Sequence, residues 1–265
     1  MYIGVCTTAK NEHLYINEWV AHYVKLGFDF ICIYDNDDPT SPNIKDFIDK
    51  QYHKKVKIID IRGKHEQGLQ AKMYSAFYEE YKDCFTWCLF CDIDEYLTGI
   101  TEIHEFFRQP QFKGAYQVRV KWKMFTDNDL IERDMKKSVM ETFKETTTEI
   151  GLCHQGKCFI KGGYKNVYFD SVHYASLKPY HQRIPSILPS GRPCYSGVRI
   201  VDDYSHEQVY LNHYMTKSLS EFIKQKMKRT DMVFSDRIIN LDYYWRINKK
   251  TPEKLEYLKN LGLYI

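Results

Sequence analysis

The pattern of apolar and polar positions over the first hundred residues predicts four buried strands. Each is a short apolar run bounded by polar or turn-forming residues, which is typical of strands in a parallel sheet. The runs lie at 2–8, 30–34, 56–61 and 84–91.

Helical spacing fills the gaps between these runs. Ile16, Trp19 and Tyr23 repeat at offsets of three and four and predict the first helix. Further helices are predicted over 41–48 and 67–82. Strands that alternate with helices predict an α/β fold with a mostly parallel central sheet flanked by helices.

The pattern changes in the second half of the chain. An alternating run at 115–125 predicts a longer strand, whereas 126–206 mixes glycine, proline and aromatic residues and predicts mainly loops. We expect one domain over 1–265, with a ligand-binding half at 1–125 and an elaborated second half at 126–265.

Regular structure is predicted again near the end of the chain. The run at 209–215 predicts a strand, and Ser218 with Glu221 forms the sequence pattern of a capping box that opens a helix. A last helix is predicted from Pro252 to near Gly262.

Composition narrows the choice of partners and compartment. The 265 residues are 43% hydrophobic and carry a net charge of +3, which is too mild to favour nucleic acid as a partner but suits a small anionic substrate or an acidic lipid surface. No apolar run approaches the roughly 20 residues that a membrane span needs. The opening MYIGVCTTAKNE lacks the features of a signal peptide. We therefore expect a cytoplasmic protein, in contact at most with the inner face of the membrane.

The eight cysteines are interpreted as free thiols in such a compartment. Cys88 and Cys91 form a CxxC pair, but an offset of three along a strand sends the two thiols to opposite faces. Cys153, His154 and Cys158 form a candidate zinc cluster for which a fourth ligand is not apparent.

Carboxylates follow the fourth predicted strand directly, in the stretch CLFCDIDEYL. Asp92 and Asp94 leave the same face of an extended chain and repel each other unless a cation lies between them. Mg²⁺ and Mn²⁺ take such oxygen ligands, usually together with the phosphates of a substrate. Glu95 adds a third carboxylate, so we expect a divalent-cation site here.

Other polar residues lie at the carboxyl ends of the predicted strands. This is the edge of a parallel sheet at which ligands bind. Thr7 ends the first strand, and Asp35 follows the second. Lys10 and Asn11 precede the first helix, whose N-terminus favours an anion.

Several of these motifs occur in the same order as in a known family. The segments are VCTTAKNEHLYINEWVAHYVKLGFDFICIYDN, QAKMY, WCLFCDIDEYL and LNHYMTKSLSEF. In combination they resemble the family 92 type of glycosyltransferase, which is related to the family 2 enzymes and has the Rossmann-related GT-A fold.

The resemblance implies a metal-dependent, inverting transfer from a UDP-sugar, with UDP-galactose as our guess for the donor. The acceptor would be a glycan or a lipid-linked oligosaccharide, most plausibly in bacterial surface polysaccharide synthesis. Mn²⁺ or Mg²⁺ would be held by Asp92, Asp94 and His213. The residues expected to bind the nucleotide are Thr7, Lys10, Asn11, Asp35, Gln70 and Asp92.

Inversion requires a base that removes the proton of the acceptor hydroxyl, ordinarily a carboxylate. The candidates Asp127, Asp129 and Glu132 lie in the loop FTDNDLIERD, and Glu132 is preferred, with Asp127 next. Charge on the leaving diphosphate would be stabilised by the metal, assisted by Lys10, Lys72 or Lys217. By the same resemblance, His173 lines the acceptor side.

Two alternatives remain open from the sequence. A haloacid-dehalogenase-like phosphatase would use Asp92 as its nucleophile, although that motif normally continues to Thr or Ser and lies near the start of its domain. A non-catalytic protein that binds nucleotide sugars is the other. Separately, the helix KSLSEFIKQKMKR presents a basic face formed by Lys217, Lys224 and Lys228, with Phe222 turned inward or toward lipid, that would suit transient docking on an anionic membrane.

Overall fold

The computed structural model describes residues 1–147, 154–178, 182–227 and 239–263. The strands are β1 (Ile3–Ala9), β2 (Phe30–Asp35), β3 (Val56–Asp60), β4 (Trp87–Phe90), β5 (Glu95–Thr98), β6 (Gln117–Met124), β7 (Gly156–Lys161), β8 (Val167–Ser171), β9 (Tyr174–Leu177), β10 (Gln182–Arg183), β11 (Ser186–Ile187), β12 (Pro193–Cys194) and β13 (Tyr210–His213). The helices are α1 (Ile16–Lys25), α2 (Leu69–Tyr81), α3 (Ile103–Arg108), α4 (Val139–Thr142), α5 (Leu219–Gln225), α6 (Leu241–Trp245) and α7 (Pro252–Asn260). Short 3-10 helices cover Ile44–Phe47, Lys50–Tyr52 and Pro110–Phe112.

Within the described residues, ten strands form one large sheet in the order β12-β11-β6-β7-β4-β1-β2-β3, and β13 joins β6 to β5. Strands β3, β2, β1 and β4 run parallel, and β7 is antiparallel to both β4 and β6. The remaining strands β8, β9 and β10 form a small antiparallel sheet. The expectation of an α/β fold with a mostly parallel, Rossmann-related central sheet flanked by helices is confirmed.

Two hydrophobic clusters cover the two faces of the sheet. Alternation along β4 sends Trp87 and Leu89 into the larger cluster, which contains the apolar stripe of α1. Cys88 and Phe90 enter the second cluster, which packs against α2. The Cys91 thiol lies in the first cluster and the Cys88 thiol in the second, so the prediction that the CxxC thiols face opposite ways holds.

Helix α1 also fixes the backbone where β5 begins. Trp19 Nε1 and the hydroxyl of Tyr23 each donate a hydrogen bond of 3.0 Å to the carbonyl oxygen of Glu95. Both donors are buried. Because buried donors need partners, the helix determines the position of the chain directly after the carboxylate motif.

The loop-rich stretch contains more structure than its composition predicts. The prediction of mainly loops over 126–206 missed β7, which pairs on one side with β4 and on the other with β6. Its sequence GKCFIK has a charged residue at each end of a short apolar core, so the strand depends on its neighbours rather than on its own pattern. The helix predicted over 41–48 is only the 3-10 turn Ile44–Phe47.

Within the described residues, no helix combines the length and the apolarity that crossing a membrane requires.

Candidate functional site

An acidic cluster lies at the carboxyl end of β4. Asp92 and Asp94 occupy the turn between β4 and β5, and Glu95 begins β5. Strand β13 pairs His213 with Glu95, which brings a residue from the end of the chain to this turn. The ligand atoms of Asp94, Glu95 and His213 all lie within 4.8 Å of one another, which is a metal-binding spacing.

Asp94 is the most strongly paired of the three carboxylates. Its Oδ1 lies 3.3 Å from Nε2 of His213, and its Oδ2 lies 2.5 Å from Nζ of Lys226, just past the end of α5. Burial alone would raise the pKa of Asp94, but Lys226 and His213 outweigh burial and hold the pKa well below its usual range. Asp94 is therefore an anion in the folded protein.

Asp92 is turned toward a different set of partners. Its Oδ2 lies 2.9 Å from Nζ of Lys157 on β7, and its Oδ1 accepts a hydrogen bond from the side-chain amide of Gln70. That amide also donates to the Tyr74 hydroxyl (2.8 Å), which in turn donates to the carbonyl of Cys91 (3.1 Å). Against the effect of burial, Lys157 lowers the pKa of Asp92. About a third of the Asp92 side chain (32%) is exposed, so this carboxylate is the one open to solvent.

Glu95 is fully buried and incompletely paired. Its Oε2 accepts a hydrogen bond of 3.3 Å from the backbone N–H of Asp92, and its Oε1 lies 3.9 Å from Nζ of Lys157. Among the described residues, neither Glu95 Oε1 nor His213 Nδ1 has a hydrogen-bond partner. Burial raises the pKa of Glu95 well above its usual range.

These donors fit a divalent cation. Carboxylate oxygens and an imidazole nitrogen form a ligand set that Mn²⁺ accepts, and two buried ligand groups carry a polar atom that nothing else satisfies. The structure brings Asp94 and His213 together, as the resemblance implies. It places Glu95 beside them, whereas Asp92 contacts Gln70 and Lys157 instead.

The residues predicted to bind the nucleotide fall at the neighbouring strand ends. Asp35 ends β2, and its Oδ1 accepts from the backbone N–H of Asp37 at 3.1 Å. Asn11, which has a left-handed φ of 59°, donates its backbone N–H to Asp37 Oδ1 at 2.5 Å. Burial raises the pKa of Asp35. The ends of β1 and β2 are therefore joined directly, through Asn11 and Asp37.

Thr7 and Lys10 lie on either side of the end of β1. Thr7 is fully buried within the strand, and its hydroxyl donates to the carbonyl of Thr8 at 3.3 Å. Lys10 Nζ lies 3.2 Å from Nδ1 of His65 in the segment after β3. Thr7 therefore packs inside β1 next to the ligand-binding edge, whereas Lys10 lies at the surface of that edge.

The two predicted bases lie in different surroundings. Asp127 is buried, with Oδ2 2.6 Å from Nζ of Lys254 and Oδ1 accepting from the backbone N–H of Asp129 at 2.9 Å. The hydroxyl of Tyr244 also donates to Asp127 Oδ2. Both Asp127 oxygens are thus occupied by structural contacts, whereas Glu132 is exposed.

The basic helix face predicted for membrane docking does not form as expected. Lys217 is buried, with Nζ 3.9 Å from the ring centroid of Tyr15, so it cannot reach a lipid surface. Phe222 is turned inward, and Lys224 is exposed. Lys228 lies outside the described residues.

Two lysines of the site escaped the sequence analysis, although a signal existed for one. Lys226 is four residues after the buried Phe222, so helical spacing places both on the inner face. Lys157 is the second residue of β7, a strand that was not predicted. Of the candidate zinc cluster, Cys153 lies outside the described residues, and Cys158 is buried inside β7.

His173 lies in the turn between β8 and β9, close to this site. Its Nδ1 is 2.8 Å from the carbonyl oxygen of Gly156, and burial lowers its pKa to about 3. The Trp122 ring contacts both His173 and His213, with centroids 5.4 Å and 4.4 Å apart. His173 is therefore a neutral, half-buried neighbour of the site.

Comparison with known proteins adds little to this description. No family model matches the chain, and no curated protein matches it. The crystal structure of S. aureus TarS is similar over 47% of this chain and 22% of its own, with 17% sequence identity and a TM-score of 0.35. A likeness of this size does not establish function, so the site is interpreted from its own geometry.

Proposed function

We propose that the chain is a glycosyltransferase that takes a sugar from a nucleotide-sugar donor. The observation that carries the proposal is the cluster of Asp94, Glu95 and His213, with the exposed Asp92 beside it, at the carboxyl end of β4. In α/β sheets with this strand order, ligands bind at that edge. The ordered motifs that resemble family 92 glycosyltransferases supply the reaction class.

The donor that we propose is a UDP-sugar, with UDP-galactose as the first to test. Mn²⁺ or Mg²⁺ bound by Asp94, Glu95 and His213 would supply Lewis-acid stabilisation of the departing diphosphate. Asn11, Asp35 and the neighbouring strand ends would hold the nucleoside. Asp35, whose Oδ1 accepts from the backbone N–H of Asp37, offers its other carboxylate oxygen to a base N–H or a ribose hydroxyl.

The chain's own cations have a part in the same chemistry. Lys157 and Lys226 contact the carboxylates from two sides, so the acidic cluster is largely neutralised. Fixed positive groups that need no reorganisation stabilise developing negative charge effectively. We assign this electrostatic role to Lys226 and Lys157, in addition to the predicted Lys10.

The base is proposed to be Glu132. Its carboxylate is exposed, whereas both oxygens of Asp127 are engaged by Lys254, Tyr244 and Asp129. A carboxylate that accepts an acceptor proton needs a free lone pair. We propose a glycan or lipid-linked oligosaccharide acceptor of the kind used for bacterial surface polysaccharide.

A panel of nucleotide sugars with Mn²⁺ tests the proposal directly. Thermal unfolding is followed with each donor, and donor hydrolysis is measured in parallel. We expect one UDP-sugar to stabilise the fold more than UDP alone, because a ligand that binds only the folded state raises its stability. Stabilisation without any release of UDP would indicate a non-catalytic binder instead.

The variant Asp94→Asn separates the metal site from the fold. We expect it to unfold cooperatively but to lose hydrolysis and transfer by at least about 100-fold, the size of effect that removal of a stabilising group in an active site typically has. Asp38→Asn, at an exposed carboxylate of the same edge, is the matched control and should keep full turnover. Normal turnover by Asp94→Asn contradicts the assignment of this cluster.

A further inference from the structure

A cavity of about 510 Å³ lies beside the amino-terminal end of β6. It is bounded by residues 114–117, by Arg119, by Tyr174 on β9, and by the segments 183–187 and 193–196. Its volume is within the range of small-molecule binding pockets. Two guanidinium groups, those of Arg119 and Arg183, line it.

Arg119 is buried without a counter-ion. Only 1% of the residue is exposed, and its guanidinium donates to the backbone carbonyls of Gly197 (2.9 Å), Val198 (3.4 Å) and Ser196 (3.5 Å). Its Nε–H has no hydrogen-bond partner, and no carboxylate of the described residues comes within 4.0 Å to form an ion pair. Burial lowers the pKa of Arg119, which marks an environment unfavourable to its charge.

Arg183 brings a second positive charge to the same place. A methyl group added to Gly197 would lie 3.0 Å from Nη2 of Arg183, so this guanidinium packs directly on the segment that Arg119 binds. Both guanidinium groups lie near the ring of Tyr174, at 5.1 Å for Arg119 and 5.9 Å for Arg183. One aromatic ring is thus shared by two cations.

A purely structural role does not account for this pair. Backbone carbonyls satisfy some N–H groups of Arg119 but do not neutralise its charge, and a buried charge is costly unless it is paired. The nearby carboxylate of Asp202 accepts from Ser196 and from Cys194 rather than from either arginine. A second arginine beside the first adds repulsion, which an anionic ligand would remove.

We propose that this cavity binds the anionic group of an acidic sugar, a carboxylate or a phosphate carried on a saccharide. Arginine suits both anions, because its planar N–H groups match their oxygens. The Tyr174 ring and the exposed rings of Tyr116 and Tyr195 offer flat apolar surfaces for a sugar ring. Under the proposed transferase function, the cavity holds an acidic residue of the acceptor glycan.

The position of the cavity fits an acceptor that extends from the acidic cluster. His173 precedes Tyr174 in the chain, and the charges of Lys157, Asp92 and Arg119 all act on it. His173 donates a hydrogen bond to the carbonyl of Gly156, the residue before Lys157. Its neighbour Tyr174 contacts Arg119, so His173 lies near both the carboxylate motif and the paired arginines. An oligosaccharide that reaches the first site could place a neighbouring sugar in the second.

Binding measured by NMR saturation transfer and by calorimetry tests the assignment. The ligands are glucuronic acid, glucose 6-phosphate, glucose and inorganic phosphate. We expect at least one acidic sugar to bind at least 10-fold more tightly than glucose. The exposed Arg183→Ala variant should weaken this binding at least 10-fold, whereas Arg108→Ala, at an exposed arginine on α3, should not change it.

Three results overturn the proposal. Equal affinity of the acidic sugars for the wild type and for Arg183→Ala would place their binding elsewhere. Equal affinity for glucose would remove the role of the anion, and inorganic phosphate binding as tightly as the sugars would remove the role of the saccharide. Arg119→Lys, which keeps the charge but changes the donor geometry, provides a second variant whose folding is checked by circular dichroism.

The test is separate from that of the proposed transferase. Asp94→Asn should bind the acidic sugar as the wild type does, because Asp94 does not line the cavity. Loss of transfer with intact sugar binding counts against the transferase alone. Transfer to neutral glycans without acidic-sugar binding counts against the cavity alone.

Discussion

Removing the ammonium group of Lys226 should strengthen the binding of Mn²⁺. Lys226 Nζ lies 2.5 Å from Asp94 Oδ2, on a carboxylate whose other oxygen faces His213. A cation that enters the cluster must share Asp94 with this ammonium or displace it. The lysine would therefore compete with the proposed metal for the same anion.

The size of the effect follows from the charges involved. Two unit charges about 4 Å apart interact by about 4 kcal/mol at an effective dielectric constant of about 20, and desolvation offsets much of this. A net gain of about 1–3 kcal/mol remains when Lys226 is replaced by alanine. This corresponds to a Kd for Mn²⁺ that is lower by about 5-fold to 150-fold.

Calorimetric titration of Mn²⁺ into the wild type, Lys226→Ala and Lys224→Ala measures the difference. Lys224 is the matched control, because it lies on the same helix but is exposed. Without metal, Lys226→Ala should melt at a lower temperature than the wild type, since the buried Asp94 loses an ion-pair partner. Mn²⁺ should then raise its melting temperature by more than it raises that of the wild type. Equal Mn²⁺ affinity in all three proteins would refute the competition.

Three further predictions concern the fold. Burial lowers the pKa of His22 to about 4, below its unfolded value of about 6.5. The contribution of the neutral imidazole to the unfolding free energy is therefore complete above about pH 6.5 and is lost as the pH falls toward 4. Between pH 7 and pH 5, the wild type should lose about 2 kcal/mol more unfolding free energy than His22→Gln in urea titrations, and parallel losses would contradict this. Lys254→Met should cost about 3–5 kcal/mol in the same assay, because it leaves Asp127 buried without its ion pair of 2.6 Å, and a cost below about 1 kcal/mol would show the pair to be unimportant. Gly99→Ala should lower the unfolding free energy by about 2 kcal/mol or more, since φ is 86° and the added Cβ would lie 2.0 Å from the carbonyl oxygen of Gln208; an unchanged melting temperature would argue against that close approach.

The parts of the fold that sequence patterns predict are those in which local signals and packing agree. The stripe of α1 and the alternation of β6 are long enough to show their period, and the capping box of Ser218 and Glu221 forms as its motif predicts. The short strand β7 carries no such period, because its conformation depends on pairing with β4 and β6. Tertiary pairing decides short segments that composition alone assigns to loops.

The candidate site is also predictable only in part. The carboxylates of Asp92, Asp94 and Glu95 are contiguous in sequence and end a recognisable strand, so one half of the cluster is visible without a structure. The cations come from β7 and from the end of α5, far along the chain. No local pattern connects those segments to the carboxylates, and only the topology of the sheet does.

The antiparallel strand β7 connects the cations of the cluster to its carboxylates. Its register pairs Phe90 with Cys158, so Lys157 lies one step beyond the last residue of β4, beside the carboxylate motif. A shift of one residue would turn the Lys157 side chain to the opposite face of the sheet, because side chains alternate along a strand. Glu95 and Asp92 would then lose the cation that both of them face. The charge balance of the cluster and the register of β7 therefore depend on each other, which explains why a charged residue is fully buried at the start of this strand.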